Sequence, residues 1–322
     1  MSERTVSSQG PGVGQGDGAM PPSAVGRDAE LPDSTDDLRQ ASLWSDAWRQ
    51  LRRSKLFVVA AAVLLLLAVM AAFPGLFSSI SPTESGNCQL ANSKIGPSGD
   101  AFFGYDIQGC DHYANVIYGA RVSMIIGLVV VGGATLIGVV LGALSGFFGG
   151  WFDVLMARVT DIFFGLPLLL GAIIILNVFS SRGLTQVCIA LIVLGWPTTL
   201  RLFRASVISV KDTDYVAAAR ALGASNGRII MKHILPNALA PVLVYSTIAV
   251  GGIIAAEATL SFLGIGLQQP AVSWGLQIGG GQRLIRTAPH IILFPSVFLS
   301  VTVLSFILLG DALRDALDPK LR

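Results

Sequence analysis

Hydrophobic positions along this chain are gathered into six long apolar segments instead of alternating with polar ones. The segments cover approximately residues 56–73, 123–148, 154–179, 187–202, 238–263 and 291–309. A helix rises about 1.5 Å per residue, so roughly 20 apolar residues are enough to cross the hydrocarbon core of a bilayer. The pattern therefore predicts an all-α, polytopic membrane protein with six transmembrane helices.

Glycine and proline interrupt several of these segments. Examples are Pro167 in the third segment, Pro197 in the fourth and Gly251-Gly252 in the fifth. Such residues are tolerated within transmembrane helices because neighbouring helices satisfy the backbone groups that they leave free. The interrupted segments are therefore still predicted to be spans.

Basic residues are distributed unevenly between the connections. If the N-terminus is placed inside the cell, 17 of the 22 Lys and Arg residues fall on the cytoplasmic side and five fall outside. Cytoplasmic connections normally carry such an excess. The asymmetry predicts an even number of spans with both termini in the cytoplasm.

These features divide the chain into five parts. Residues 1–42 are rich in Ser, Gly, Pro and Asp and are predicted to be a disordered cytoplasmic tail, because they offer little apolar surface to offset the entropy of ordering. After them come a cytoplasmic pre-helix with the first transmembrane helix (43–73), an extracytoplasmic loop (74–118), the main transmembrane domain (119–311) and a cytoplasmic C-terminal tail (312–322).

Composition excludes several other classes of protein. Charged residues make up only 13% of the chain, and the net charge of +2 is too small to indicate nucleic-acid binding. The three histidines are scattered and no CxxC pair exists, so no metal site is predicted. Cys88 and Cys110 both lie in the 74–118 loop. On an oxidising side of the membrane they would either pair or remain two free thiols, and the sequence leaves both readings open.

The cytoplasmic connection over residues 204–236 is predicted to contain two short helices. Thr213 or Asp214 is a suitable N-cap, residues 217–222 are mostly alanine, and Gly223 fits the position that ends a helix. The first helix is expected to be about 12 Å long. A helix this short is marginal alone and needs a partner surface.

The second helix of this connection is predicted to run from Ser225 or Asn226 to Leu235. Pro236 is predicted to end it and can also stand in the first turn of the next span. Two readings of the helix pair remain open. It is either a docking element, whose small alanine side chains allow another protein to approach closely, or an amphipathic connector on the lipid headgroups.

Four separated stretches resemble the permeases of ABC importers. Residues 215–237 resemble the loop signature of these permeases, with matches at Ala218, Ala219, Gly223, Leu235 and Pro236. Ala217 stands where the signature has Glu, and His233 where it has Ile. Residues 104–123, 257–264 and 309–319 resemble other runs of the dipeptide and oligopeptide branch, in the same order. The resemblance covers roughly residues 43–322 and fits the DppC/OppC type of subunit.

The resemblance implies a type I ABC importer permease core and a role in ATP-driven import of dipeptides or oligopeptides at the bacterial plasma membrane. The first loop helix would be a coupling helix that is seated on an ATPase. The residues implied in coupling are Tyr215, Ala218, Ala219, Arg220, Leu222, Gly223 and Pro236. The implied partners are a second homologous permease, two ATP-binding subunits or domains and an extracytoplasmic peptide-binding protein.

No enzyme activity and no bound cofactor are predicted for the chain itself. It lacks the Gly-x-x-x-x-Gly-Lys-Ser/Thr loop, so ATP and Mg²⁺ are expected on the partner ATPases. An intramembrane protease would need a nucleophile with a base, and Gly-x-Ser-x-Gly is absent. An ion-coupled transporter would need several intramembrane charges. A related importer of nickel complexes or another small solute remains the alternative.

Single residues carry three further predictions. Glu257 within the fifth span is either a pathway or gate position or a buried group that is hydrogen-bonded for stability. Arg158 and Asp161, three residues apart, are predicted to form an interfacial ion pair. Trp151, Trp196 and Trp274 lie near predicted span ends, where anchoring in the membrane interface is the usual role.

Overall fold

The computed structural model describes residues 43–82 and 88–317, and this part of the chain is almost entirely helical. The predicted disordered tail at 1–42 and the last five residues of the predicted C-terminal tail lie outside the described residues. Twelve α-helices are found in these ranges: α1 Leu43–Arg53, α2 Lys55–Ala72, α3 His112–Phe148, α4 Gly150–Phe164, α5 Leu168–Val178, α6 Leu184–Lys211, α7 Asp214–Ala221, α8 Asn226–Ile229, α9 Leu235–Ala238, α10 Ala240–Phe262, α11 Trp274–Gly281 and α12 His290–Leu317.

Five of these helices, α2, α3, α6, α10 and α12, are long and apolar enough to cross a membrane. The third apolar segment is not the single continuous helix that we predict from sequence. It divides into α4 and α5, which meet at 91°, so the number of spans is six only if this bent pair is one span. The break falls at Gly165-Leu166-Pro167, where proline disfavours helical backbone in the residue before it.

The α3 and α6 helices pack closely over much of their length because glycine allows their backbones to approach. Gly138, Gly142 and Gly146 lie four residues apart on one face of α3. A Cβ atom at Gly142 would stand 2.9 Å from the carbonyl oxygen of Leu200, and one at Gly146 would stand 2.9 Å from Val207. Small residues at this spacing are typical of helix contacts in membranes, where no hydrophobic driving force joins two helices.

The other long helices complete the bundle around α3. Residues of α2, α10 and α12 bury a shared apolar cluster against α3, including Leu67, Ile117, Ile254 and Phe306. At the far end of α12, Ala316 packs against Leu51 of α1. The α12 helix therefore includes residues 312–317 of the predicted C-terminal tail.

The predicted 74–118 loop ends earlier than the sequence suggests, because α3 begins at His112. The carboxylate of Asp111 caps this helix by accepting hydrogen bonds from the backbone N–H groups of Tyr113 at 2.8 Å and Ala114 at 3.3 Å. A disulfide joins Cys88 to Cys110 in this region.

A second aspartate organises the turn before α3. The Asp106 carboxylate accepts backbone hydrogen bonds from Gln108 and Cys110, and its other oxygen accepts one from Asn115 Nδ2 at 2.8 Å. Burial nevertheless raises the pKa of Asp106 above its ordinary value, because loss of water around the carboxylate outweighs these bonds.

The connection between α10 and α12 contains α11, a helix that the sequence pattern does not predict. Trp274 at its first position is fully buried and donates a hydrogen bond from Nε1 to the carbonyl oxygen of Val116 at 2.9 Å. The prediction that Trp274 anchors in the membrane interface is therefore wrong, because its ring lies in the protein core. The same prediction is wrong for Trp196, which is buried in an apolar cluster of the bundle. Trp151, by contrast, is exposed.

Candidate docking loop and its supports

The helix predicted at the start of the 204–236 connection is present as α7. Thr213 is its N-cap residue, and its hydroxyl donates to the carbonyl oxygen of Val210 at 2.7 Å. At the other end, the N–H of Gly223 bonds to the carbonyl oxygen of Arg220, and the N–H of Ala224 bonds to that of Ala219, both at 3.0 Å. This pattern with Gly223 at φ +79° is a Schellman motif.

One face of α7 is apolar and exposed. Tyr215, Ala218 and Leu222 are spaced three and four residues apart, so they line the same side of the helix. The Leu222 side chain is 88% exposed and that of Tyr215 is 44% exposed. Of the remaining residues implied in coupling, Arg220, Gly223 and Pro236 are exposed and Ala219 is half-buried.

The opposite face of α7 is anchored to the bundle through Val216. This side chain is completely buried in an apolar cluster that includes Phe203 and Val207 of α6, Ile229 of α8 and Val242 of α10. The helix is thus attached to the ends of two spans, α6 and α10. A force on its exposed face would reach both of them.

The second predicted helix of the connection is longer than expected. Ser225 caps α8 by accepting from the N–H of Arg228, as predicted. The helical course then passes through a π-helical turn at Ile230–Ile234 and on through α9, so Pro236 does not end it. Pro236 instead stands in the first turn of α9. π-helical turns are frequent at functional sites.

Two basic residues in the second half of α6, Arg204 and Lys211, hold the supports of this loop together. Arg204 forms a two-point ion pair with Asp153 of α4, with Nη2 at 2.6 Å from Oδ2, and the Ser145 hydroxyl of α3 donates to the same carboxylate. Lys211 donates to the carbonyl oxygen of Gly146 at 3.1 Å. The sequence pattern places Arg204 and Lys211 in the connection and indicates neither of these contacts.

A second carboxylate of α4, that of Asp161, also forms ion pairs. The predicted pair with Arg158 is present at 3.8 Å, and both side chains are more than half exposed. Arg201 of α6 is the nearer partner of Asp161, and it also donates from Nε to the Thr160 hydroxyl at 3.1 Å. The α4 helix is therefore fixed to α6 by two carboxylates, beside the docking loop.

Glu257 lies at the opposite end of α10 and is completely buried within this chain. Its Oε1 accepts hydrogen bonds from Ser261 at 2.8 Å and from Ser273, the N-cap residue of α11, at 3.0 Å. Among the described residues Oε2 has no hydrogen-bond partner. This geometry supports the structural reading of Glu257, because its carboxylate joins α11 to α10.

A protein-family model described as "Binding-protein-dependent transport system inner membrane component" matches residues 138–322, more than half of the chain. The chain belongs to this family. A second model, described as "N-terminal TM domain of oligopeptide transport permease C", matches residues 42–92. The two matches together take in α1, α2 and the whole of the docking loop.

Curated relatives are similar over nearly the full length of this permease. It is 38% identical over 291 residues to the dipeptide transport system permease protein DppC of Alkalihalophilus pseudofirmus, covering 90% of this chain and 94% of that protein. It is 39% identical over 284 residues to the oligopeptide transport system permease protein OppC of Bacillus subtilis, covering 88% and 92%. The glutathione transport system permease protein GsiD of Escherichia coli is 37% identical, covering 87% and 91%.

Among solved structures, the permease is similar to a chain of the inward-facing MetNI methionine ABC transporter, with a TM-score of 0.52 and 21% sequence identity. The similarity covers 63% of this permease and 96% of the other chain. The fold is therefore that of a type I ABC importer permease, as predicted. This permease is a membrane-embedded subunit of such a transporter and not its ATPase.

Proposed function

We propose that this permease carries dipeptides or oligopeptides across the bacterial inner membrane as part of an ATP-driven importer. The support comes from relatives whose names specify dipeptide, oligopeptide and glutathione transport, each similar over about nine-tenths of this chain. Glutathione is itself a short peptide derivative, so these three names share one class of cargo. The partners are a second homologous permease, two ATP-binding subunits and an extracytoplasmic peptide-binding protein.

The exposed face of α7 is the single structural observation that carries the coupling mechanism. Tyr215, Ala218 and Leu222 present an apolar stripe that this chain leaves uncovered, and such a stripe beside polar residues is typical of a protein contact. We assign its partner as a cleft of the ATPase. When ATP binding draws two ATPases together, α7 moves with them, and Val216 passes that movement to α6 and α10.

We propose that the chain itself has no enzymatic activity and binds no cofactor. ATP and Mg²⁺ belong to the partner ATPases, because the sequence contains no phosphate-binding Gly-x-x-x-x-Gly-Lys-Ser/Thr loop. Peptide is delivered at the outer face by the binding protein and released inside. The membrane spans then need only to alternate between an inward-open and an outward-open arrangement.

This function requires α7 to lie in the cytoplasm and the Cys88–Cys110 region to lie outside. A Leu222→Cys variant is expected to react with a membrane-impermeant maleimide in inverted vesicles and not in intact cells, since Leu222 is 88% exposed. A Gln108→Cys variant, beside the disulfide, serves as the opposite control and should react in intact cells. Labelling of position 222 from outside would contradict the orientation and the coupling mechanism with it.

Gly223→Val tests the coupling role directly. Gly223 has φ +79°, a conformation that costs a β-branched residue about 1–2 kcal/mol, although no atom lies within 4 Å of the added Cβ. The α7 cap should therefore distort without a clash in the bundle. We expect the complete transporter to insert normally and to hydrolyse ATP, with peptide uptake reduced at least tenfold.

Two matched variants control this experiment. Gly223→Asn should keep most of the uptake, because asparagine tolerates positive φ. Gly227→Val, in α8 of the same connection, also adds its side chain to open space but requires no positive φ, and it should leave uptake near wild type. Normal uptake by Gly223→Val would show that the Schellman cap of α7 is not needed for coupling.

A further inference from the structure

An apolar groove of about 610 Å³ lies between α1, α2, α3 and α12, away from the docking loop. Every side chain that lines it is apolar, from Trp48 of α1 and Phe57 of α2 to Met124 of α3 and Leu313 of α12. A groove with no charged group on its walls is suited to a hydrocarbon chain.

The groove has the length of one membrane leaflet. Along α2 it extends from Phe57 to Ala68, which at 1.5 Å per residue is about 16 Å. Along the antiparallel α12 it extends from Leu317 back to Phe306, an equal distance. Half of the roughly 30 Å hydrocarbon core of a bilayer is about 15 Å, so the groove is as long as one leaflet is deep.

The mouth of the groove is basic. The guanidinium of Arg52 lies 4.8 Å from the ring centroid of Trp48, which lines the opening, and Arg49, Arg53 and Lys55 are exposed beside it. None of these four cations forms an ion pair with another described residue.

Acidic residues also occur in the sequence of the segments that flank the groove but are outnumbered. Residues 43–55 and 311–317 together contain five basic residues and three acidic ones. The basic residues are Arg49, Arg52, Arg53, Lys55 and Arg314, and the acidic residues are Asp46, Asp311 and Asp315. Arg314 stands between the last two of these. The cations adjacent to the groove are therefore available to an external anion.

We propose that this groove is a binding site for an anionic phospholipid. One acyl chain lies between α2 and α12, and the phosphate lies against Arg52 with Arg49, Arg53 and Lys55 around it. A basic cluster at the headgroup level attracts anionic lipid. A protein helix in this groove would account for the apolar walls, but it would not require a cationic mouth at one leaflet surface.

Lipid retention by the purified transporter tests this site. The transporter is placed in nanodiscs of equal parts phosphatidylglycerol and phosphatidylcholine and then released into mild detergent, and native mass spectrometry identifies the lipids that stay bound. We expect phosphatidylglycerol to be retained preferentially. Arg52→Gln should weaken this retention about fivefold, the effect of one basic residue at an anionic surface. Lys232→Gln, an exposed lysine of the docking loop, should not change it.

The acyl chain is tested separately through two neighbouring alanines of α2. Ala61→Phe places a ring in the groove and should abolish retention, whereas Ala62→Phe places the same ring on the exposed face outside it and should have no effect. Equal retention of both lipids, or a photo-crosslinker at position 61 that labels the second permease instead of lipid, would overturn the proposal. The Arg52 result decides the matter even if Ala61→Phe does not fold, because Arg52 is exposed.

Discussion

Gly142→Val is expected to leave almost no folded permease in the membrane. The added side chain would enter the contact between α3 and α6, where even its Cβ would stand 2.9 Å from the Leu200 carbonyl oxygen and 3.2 Å from the Arg204 amide nitrogen. Backbone atoms cannot move aside as a flexible side chain can. The two helices would have to separate, and we expect a loss of about 3 kcal/mol or more in the free energy of unfolding.

The position along α3 should matter more than the type of substitution. Gly132 lies on the same helix but has no atom within 4 Å of the added Cβ, so Gly132→Val should leave the thermal midpoint of the purified permease within about 2 °C of wild type. Gly142→Ala should be intermediate, because it introduces only the Cβ. The measurement is the fraction of monodisperse protein after a heating series in detergent. Equal midpoints for the Gly132→Val and Gly142→Val variants would contradict close backbone packing as the basis of the α3–α6 contact.

Capping residues make α7 predictable from sequence. Thr213, the alanine-rich residues after it and Gly223 specify a short helix locally, and each takes its expected position in the structure. The α11 helix cannot be found in the same way. Its sequence, Trp-Gly-Leu-Gln-Ile-Gly-Gly-Gly, has poor intrinsic helix propensity, and it is helical because Ser273 caps it and Trp274 packs into the core.

The bend in the third apolar segment shows why proline alone does not identify a broken span. Pro197 and Pro295 both lie inside continuous helices, whereas the chain turns through 91° near Pro167. The difference is that Gly165 and Leu166 already leave the helix before the proline. Which of these outcomes occurs depends on whether neighbouring helices satisfy the freed carbonyl groups, and sequence spacing does not contain that information.

The sequence does not reveal which charged side chains of different helices pair with each other. The sequence pattern places Arg201 at the end of the fourth apolar segment and Arg204 in the connection after it. Both lie in α6 and meet the carboxylates of α4. In the sequence, Asp153 and Asp161 stand out only as members of a local cluster. The rotation of each helix decides such pairs, and it is set by packing contacts such as the glycine face of α3.

Glu257→Ala is expected to destabilise the permease by about 3 kcal/mol and to release α11 from α10. The change removes the one acceptor shared by the Ser261 and Ser273 hydroxyls and leaves both donors buried without a partner. Ser273 also caps α11 by accepting from the N–H of Leu276, so its displacement should loosen that helix. Hydrogen exchange of the amides of α11, together with the thermal midpoint, measures both effects.

Glu257→Gln separates the two roles that the sequence leaves open for this residue. Glutamine keeps an Oε1 acceptor for both serines and changes only the Oε2 position, which has no hydrogen-bond partner among the described residues. If Glu257 serves to join α11 to α10, this variant should retain the wild-type midpoint, the slow exchange of α11 and peptide uptake. Wild-type stability with uptake lost would instead show that transport needs an ionisable group at this position. In that case the structural role could not be the only role of Glu257, because the variant would keep its fold and lose its transport function.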